Sequence, residues 1–321
     1  EACKAKWYFE DVPKLLETSF VSAEHPLFAT EQAFYEQMDG IATRDLRRMG
    51  HRFSDEVMRL VTGERGPFDT RIAFVSTRGG RAKEIWEMGF DGEDARQLTR
   101  NGTINLSPSW SPDSKSIAFV SKRGQAAPDR TSNTDVWVVS ATGGEPRQLT
   151  KTEFAEGGRP AWSPDGSRIA VLLGDNDTNG AYDMNKLTVI PSNPPTSVGP
   201  TQRPTIYMAQ LDRAVSNVSW SADGQNIAFL LQDDRTNHVA TVPAENPNGT
   251  VQRKTAGRRV ISALNPGKDG NFAVIAGEAA KINEVYALDG RTGRVIWQYQ
   301  RRPALQKGPN RGVAVYGHRS E

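Results

Sequence analysis

SPSWSPDSKSIAFVS, residues 107–121, is rewritten as RPAWSPDGSRIAVLL at 159–173 and as NVSWSADGQNIAFLL at 217–231. Each copy reads as a strand ending in Trp, a tight turn and a returning apolar strand. Pro112 and Pro164 preset φ for the turn, Asp113, Asp165 and Asp223 can cap it, and Gly166 and Gly224 accept positive φ. Trp110, Trp162 and Trp220 stand 52 and 58 positions apart. Repeats of roughly 40–50 residues, each holding about four strands, mark a β-propeller with some long loops. One buried Trp per repeat supplies on the order of 3 kcal/mol of apolar burial between blades. The repeated Ser, Asp and Trp therefore read as blade-building residues and not as catalytic ones.

Outward from the hairpin, short β-rich runs continue in both directions, among them RIAFVS from Arg71, EIWEM from Glu84, DVWVVS from Asp135, KLTVI from Lys186, TIYMAQL from Thr205 and RVIWQY from Arg294. Turn signals such as DG, GG and TG separate them, with no intervening helix. The expected fold is an all-β propeller of about five blades, six if the tail contributes more, behind a short α-helical N-terminal segment. Residues 1–66 form that segment and 67–321 the propeller. The blades run from Asp69 to Thr99, Leu106 to Thr150, Arg159 to about Leu211, Val215 to about Thr255, and Val260 to about Tyr299. The first lacks its SPxW strand, since FDTRIAFVS begins at the second strand of the unit, and the orphan run GVAVYG at 312–317 is expected to pair there and remove two exposed edges together.

In the front segment, Thr30 to Gly40 and Thr43 to Gly63 read as helices. Leu46, Met49, Phe53, Val57 and Leu60 form one apolar stripe, and His51 and Arg52 lie off it on a solvated face. Thr43 is the expected N-cap and Gly63 the C-cap.

The chain has 321 residues, 40 basic against 38 acidic, for a net charge of +2. That balance excludes a strong field for nucleic acid or an anionic membrane. No apolar run approaches the roughly 18–20 residues that span a bilayer, so membrane insertion is not expected. Cys3 is the single cysteine, which leaves no internal disulfide and no cysteine-built metal site. The opening EACKAKWYFE lacks the apolar middle of a signal peptide, as expected of a processed or partial chain.

Three resemblances follow one another. HRFSDEVMRLVTGERGPFDTRIAFVSTRGGRAKEIWEMGFDGEDARQLTRNGTINLSPSWSPDSKSIAFVS, within residues 44–121, resembles the TolB family of periplasmic propellers of the Tol–Pal envelope system. That resemblance implies a non-enzymatic exported adaptor that binds protein partners, a Pal-like lipoprotein among them. From about 128 to 289, DRTSNTDVWVVSATGGEPRQLT, YDMNKL and LDRAVSNVSWSADGQNIAFLLQDDRTNH resemble the propeller of prolyl-oligopeptidase-type serine peptidases. There it implies a part that gates substrates, without the G-x-S-x-G elbow of the part that cuts them. From about 285 to 317, VYALDGRTGRVIWQYQRRP and GPNRGVAVYG resemble quinoprotein alcohol dehydrogenases, but Gln306 and Lys307 stand where that family places a vicinal cysteine pair. Three signatures in tandem suggest an assembled chain, which blades tolerate because each mainly contacts its neighbours.

Four oxygen-bearing residues, Asp175, Asp177, Asn179 and Asp183, have the alternate spacing of a calcium loop, with Lys186 where a bidentate Glu belongs. A polar turn is the competing reading. His238 is expected at a strand edge or paired with Asp233 or Asp234. The proline-rich stretch PSNPPTSVGPTQRP at 191–204 reads as a solvated rim excursion that could meet a partner. No cofactor is expected beyond the calcium alternative. The leading functional expectation is a non-catalytic protein-interaction scaffold of the bacterial periplasm. The alternative is the substrate-gating propeller of a serine peptidase.

Overall fold

A computed structural model describes residues 43–124, 131–176, 184–194, 197, 199–233, 235–267, 269–278 and 281–299. Packing divides the chain into two compact units, Glu1–Ile72 with Met88–Asp94, and Ala73–Glu87 with Ala95–Glu321. The described residues hold one helix and nineteen strands, and the strands form the five antiparallel sheets of a β-propeller domain.

The helix, α1, spans Thr43–Thr62. It stops where Gly63 turns to φ +79° and donates its N–H to Arg59 O at 2.8 Å. Leu46, Met49, Phe53 and Val57 are half-buried as the stripe requires, but Leu60 at its end is exposed. His51 and Arg52 are not simply solvated. His51 Nε2 lies 3.1 Å from Asp91 Oδ2, and Arg52 Nε donates to Asp69 Oδ2 at 3.0 Å. Asp55 is buried and accepts the N–H groups of Phe68 and Asp69, pinning the chain that follows the helix. The helix expected at Thr30–Gly40 lies outside the described residues.

The first sheet holds β1 (Arg71–Ser76), β2 (Glu84–Gly89) and β3 (Arg96–Gln97), in that order. The second holds β4 (Asn105–Trp110), β5 (Ser116–Ser121), β6 (Asp135–Ser140) and β7 (Arg147–Gln148). The third holds β8 (Phe154–Trp162), β9 (Arg168–Asn176), β10 (Lys186–Pro191) and β11 (Thr205–Ile206). The fourth holds β12 (Val215–Trp220), β13 (Asn226–Asp233), β14 (Thr236–Pro243) and β15 (Gln252–Arg253). The fifth holds β16 (Val260–Pro266), β17 (Phe272–Glu278), β18 (Lys281–Leu288) and β19 (Val295–Tyr299).

Two expectations need correction. The third blade opens at Phe154 and not at Arg159, because bulges carry β8 past Gly157 and Gly158. Of TIYMAQL, only Thr205–Ile206 pairs; Tyr207 and Met208 turn inward into the core. The run GVAVYG lies outside the described residues.

Bulges recur in the strands that end in Trp. Register breaks before Ser109 in β4 and before Ser219 in β12, with Ser107 and Asn217 at positive φ, and Gly158 takes that role in β8. Such a bend re-aims the strand just ahead of its Trp. Four apolar layers then fill the gaps between consecutive sheets. Ile85 and Phe119 share one buried layer, Val120 and Ile169 the next, Leu187 and Phe229 the third, and Leu230 and Phe272 the fourth. Burying one such side chain is worth about 1.5–3 kcal/mol.

Candidate functional site

The thrice-written Ser and Asp are consumed locally. Ser111 Oγ donates to Asp113 Oδ1 at 2.6 Å, and the same carboxylate accepts Lys115 N–H at 3.0 Å. Ser163–Asp165 and Ser221–Asp223 repeat the geometry at 2.5 Å. In every copy the Ser oxygen also accepts the first N–H of the returning strand, at 2.9 Å from Ser116, Arg168 and Asn226. Hydroxyl and amide donors hold the three carboxyls below the ordinary carboxylate range, Asp165 to about 2 because Ser163 and Ser167 both bond it. Trp indoles join the blades. Trp162 Nε1 donates to Ser109 O at 3.1 Å and Trp220 Nε1 to Ala161 O at 2.8 Å, each the carbonyl just before the preceding Trp. Among the described residues, Trp110 Nε1 is buried without an acceptor, and the first sheet has no strand corresponding to β4.

A second repeat sits where the third strand of a blade starts, and its periodicity escapes inspection of the Trp motif. Register aligns Trp86 with Gln97, Trp137 with Gln148, and Ala240 with Arg253, so Glu84, Asp135 and His238 are equivalent. All three are buried. Beside each, a Thr hydroxyl accepts the next N–H: Thr99 from Ile85, Thr150 from Val136 and Thr255 from Val239, at 2.8–2.9 Å. These threonines end QLT, QLT and RKT, the one signal a sequence reader could have used.

What faces that position differs between blades. Glu84 is saturated: Oε1 accepts from Asn101 and Gly102, and Oε2 accepts from Thr99 Oγ1 and from Asn105 Nδ2. Glu156 replaces Asn105 in the next blade, since each donates its N–H at 3.0 Å to the carbonyl before the strand, Lys83 O and Thr134 O. Two carboxyl groups, Asp135 and Glu156, therefore stand together. Glu156 Oε2 bonds Thr150 Oγ1 and Val136 N, but Oε1 has no partner. Burial first, and repulsion from Asp135 in addition, push the Glu156 carboxyl up to about 8.

At His238 the repeat opens into a cavity of about 250 Å³ between the fourth and fifth sheets. The imidazole bonds Thr236 Oγ1 at 2.6 Å and approaches Thr255 Oγ1 at 3.5 Å. Asp233 pairs instead with Arg213 and Arg253, and Asp234 lies outside the described residues. Ile261, Val274, Ala276 and Leu288 form an apolar floor. Lys254, Arg259 and Arg294 line the mouth, and the lining contains no Asp or Glu. Arg259 lies 4.8 Å over the Tyr286 ring and 3.5 Å from Glu278, while among the described residues Lys254 Nζ meets only the neutral acceptors Gln252 Oε1 and Arg291 O. Burial and the hydroxyl bond to Glu284 push the Tyr286 phenol up. The turn at Gly293 presses so close to Lys254 that a Cβ there would sit 1.7 Å from its carbonyl oxygen.

Asp177, Asn179 and Asp183 of the calcium reading lie outside the described residues, as does the side chain of Asp175 at the end of β9. Among the described residues, no group of three or more His, Cys, Asp or Glu is placed to hold a metal ion. No described helix is long and apolar enough to cross a membrane. The proline-rich stretch is not a free excursion along its whole length. Ser192 bonds Gly166 O, and Thr201 pairs with Thr150 through Leu149 O and Lys151 N.

A family model described as TolB beta propeller domain matches residues 58–318, across all three segments whose motifs resemble different families. A Tol-Pal system protein TolB from Geobacter metallireducens is 56% identical over 73 residues, 23% of this chain and 17% of that protein. The crystal structure of TolB from Acinetobacter baumannii superposes with a TM-score of 0.61 at 21% identity, over 80% of this chain and 59% of that one. A prolyl endopeptidase structure superposes with a TM-score of 0.50 at 16% identity, over 70% of this chain and 33% of that one, a likeness of fold alone. The chain spans only part of the length of each of these proteins.

Proposed function

Because this chain belongs to the TolB beta propeller family, we propose that it works as a protein-interaction scaffold of the bacterial periplasm, with no chemistry of its own. One observation carries the reading. The hydroxyl and carboxylate groups that recur in every Trp hairpin are tied to their own turns, which leaves recognition to the loops at strand ends, where distant segments of the chain converge. Relatives named for the Tol–Pal system support a Pal-type lipoprotein as the partner.

The test is direct binding of the purified chain to purified Pal, by biolayer interferometry in moderate salt. The reading expects saturable binding that unlabelled chain competes away. Absence of saturable binding up to about 100 μM, an affinity of only about 5–6 kcal/mol, removes Pal as partner. Stoichiometric labelling of the chain by a fluorophosphonate removes the non-catalytic part.

A further inference from the structure

The cavity between the fourth and fifth sheets has a chemistry that the scaffold does not need. Its floor is made of four side chains from three strands, each almost fully closed to water except toward the cavity. Its mouth carries three cations and no acid among the lining residues. Arg259 is partly answered by Glu278, but Lys254 finds only neutral acceptors, and the Arg294 guanidinium has no side-chain partner among the described residues. Lys254 and Arg259 are half-buried, where a charge pair is worth more than in bulk water. An apolar floor under a cationic rim fits one kind of guest, an apolar group that ends in an anion.

We infer that this cavity receives a carboxylate borne on a short apolar group, and that its occupant is the C-terminal residue of a peptide chain. Size decides between ligand classes. Sites for drug-sized molecules run to about 300–1,000 Å³, so about 250 Å³ holds a single Leu-sized side chain and its carboxylate. The side chain rests on Val274, Ala276 and Leu288. The free carboxylate meets Arg259 and Arg294, whose planar forks match carboxylate oxygens in pairs, with Lys254 beside them. Capture of a chain terminus is an established mode of peptide recognition, and here side-chain cations supply the charge for it. The inference holds for a propeller in any compartment and stands apart from the choice of Pal as partner.

The test is calorimetric titration of the chain with acetyl-Gly-Gly-Leu, its C-terminal amide, and octanoate. The free-acid tripeptide is expected to bind, the amide at least tenfold more weakly, and affinity is expected to fall as salt rises. Arg294→Glu, at an exposed turn, should lose at least tenfold for the acid with an unchanged melting temperature. Arg294→Gln reads the same loss if the charge reversal disturbs folding. Octanoate binding without tripeptide binding overturns the peptide assignment in favour of a free carboxylic acid. Equal binding of acid and amide, or no saturable heat from either at millimolar concentration, overturns the site.

Discussion

Replacing Glu156 with Gln should stabilise the protein, and by an amount that grows with pH. The buried carboxyl is pushed from 4.5 to about 8 by burial and by Asp135. Below pH 4.5 both folded and unfolded chains carry the proton, and the site exerts no pH effect. Between 4.5 and 8 the unfolded chain releases its proton while the folded chain keeps it, so the folded state binds more protons and stability falls as pH rises. At about 1.4 kcal/mol for each tenfold difference, the accumulated cost above pH 8 is about 4–5 kcal/mol. Gln is isosteric with the protonated acid and still presents an oxygen to Thr150 and Val136 N–H. It titrates nowhere in this range.

Wild type and Glu156→Gln should therefore melt within about 1 kcal/mol of each other at pH 5 and diverge by about 3–4 kcal/mol more at pH 8. For a domain of this size that divergence corresponds to about 5–15 °C in Tm. Thermal and guanidinium melts at half-unit pH steps would trace the curve. Asp135→Asn in the wild-type background should make it shallower but not flat, because burial, the larger source of the shift, remains. Parallel wild-type and Gln curves from pH 5 to 8, or a Gln variant that loses stability at pH 8, would refute the reasoning.

The indole latch supplies a paired comparison. Trp162→Phe removes the bond to Ser109 O and should cost about 1 kcal/mol more than Trp110→Phe, whose indole N–H is buried without an acceptor; equal guanidinium midpoints for the two variants would contradict the assignment. Gly293→Ala places a Cβ 1.7 Å from Lys254 O at φ +71°, whereas Gly270→Ala, at φ +80°, meets nothing within 4 Å. The second should cost only the roughly 1–2 kcal/mol of a left-handed alanine and the first substantially more, so comparable losses in melts of the two variants would show that the turn at Gly293 does not press on Lys254.

The sequence made the hairpins legible because their chemistry is local. Ser111, Pro112, Asp113 and the residues after them close a turn within a few positions, and Gly166 and Gly224 mark the same turn in the next two copies. Strand order follows from that, since each returning strand can pair only with the strand it has just left. The extension of β8 before Arg159 has a local cause too: adjacent Gly157 and Gly158 carry no strand signal, yet a bulge lets Glu156 and Gly157 pair with Leu173 and Leu172. The partner of His51, Asp91, is forty positions away and leaves no periodic signal in the sequence.

The cavity was illegible for a different reason, which also explains why such folds can change function cheaply. His238, Lys254, Arg259, Tyr286 and Arg294 come from four separate stretches, Lys254 and Arg259 sharing one connection, and the register of two neighbouring sheets brings them to one opening. At the equivalent strand start, one blade places Glu84 against Asn105, the next places Asp135 against Glu156, and the fourth places His238 beside a hollow. The backbone bonds are the same in all three, from Ile85, Val136 and Val239 to a Thr hydroxyl. Those bonds fix the strand whatever side chain stands beside it. A substitution there can therefore convert a satisfied polar pair into a titrating acid or an opening without disturbing the sheet. The same independence means that family resemblance along the strands carries the fold, while ligand specificity rests on the few residues that the repeat leaves free to vary.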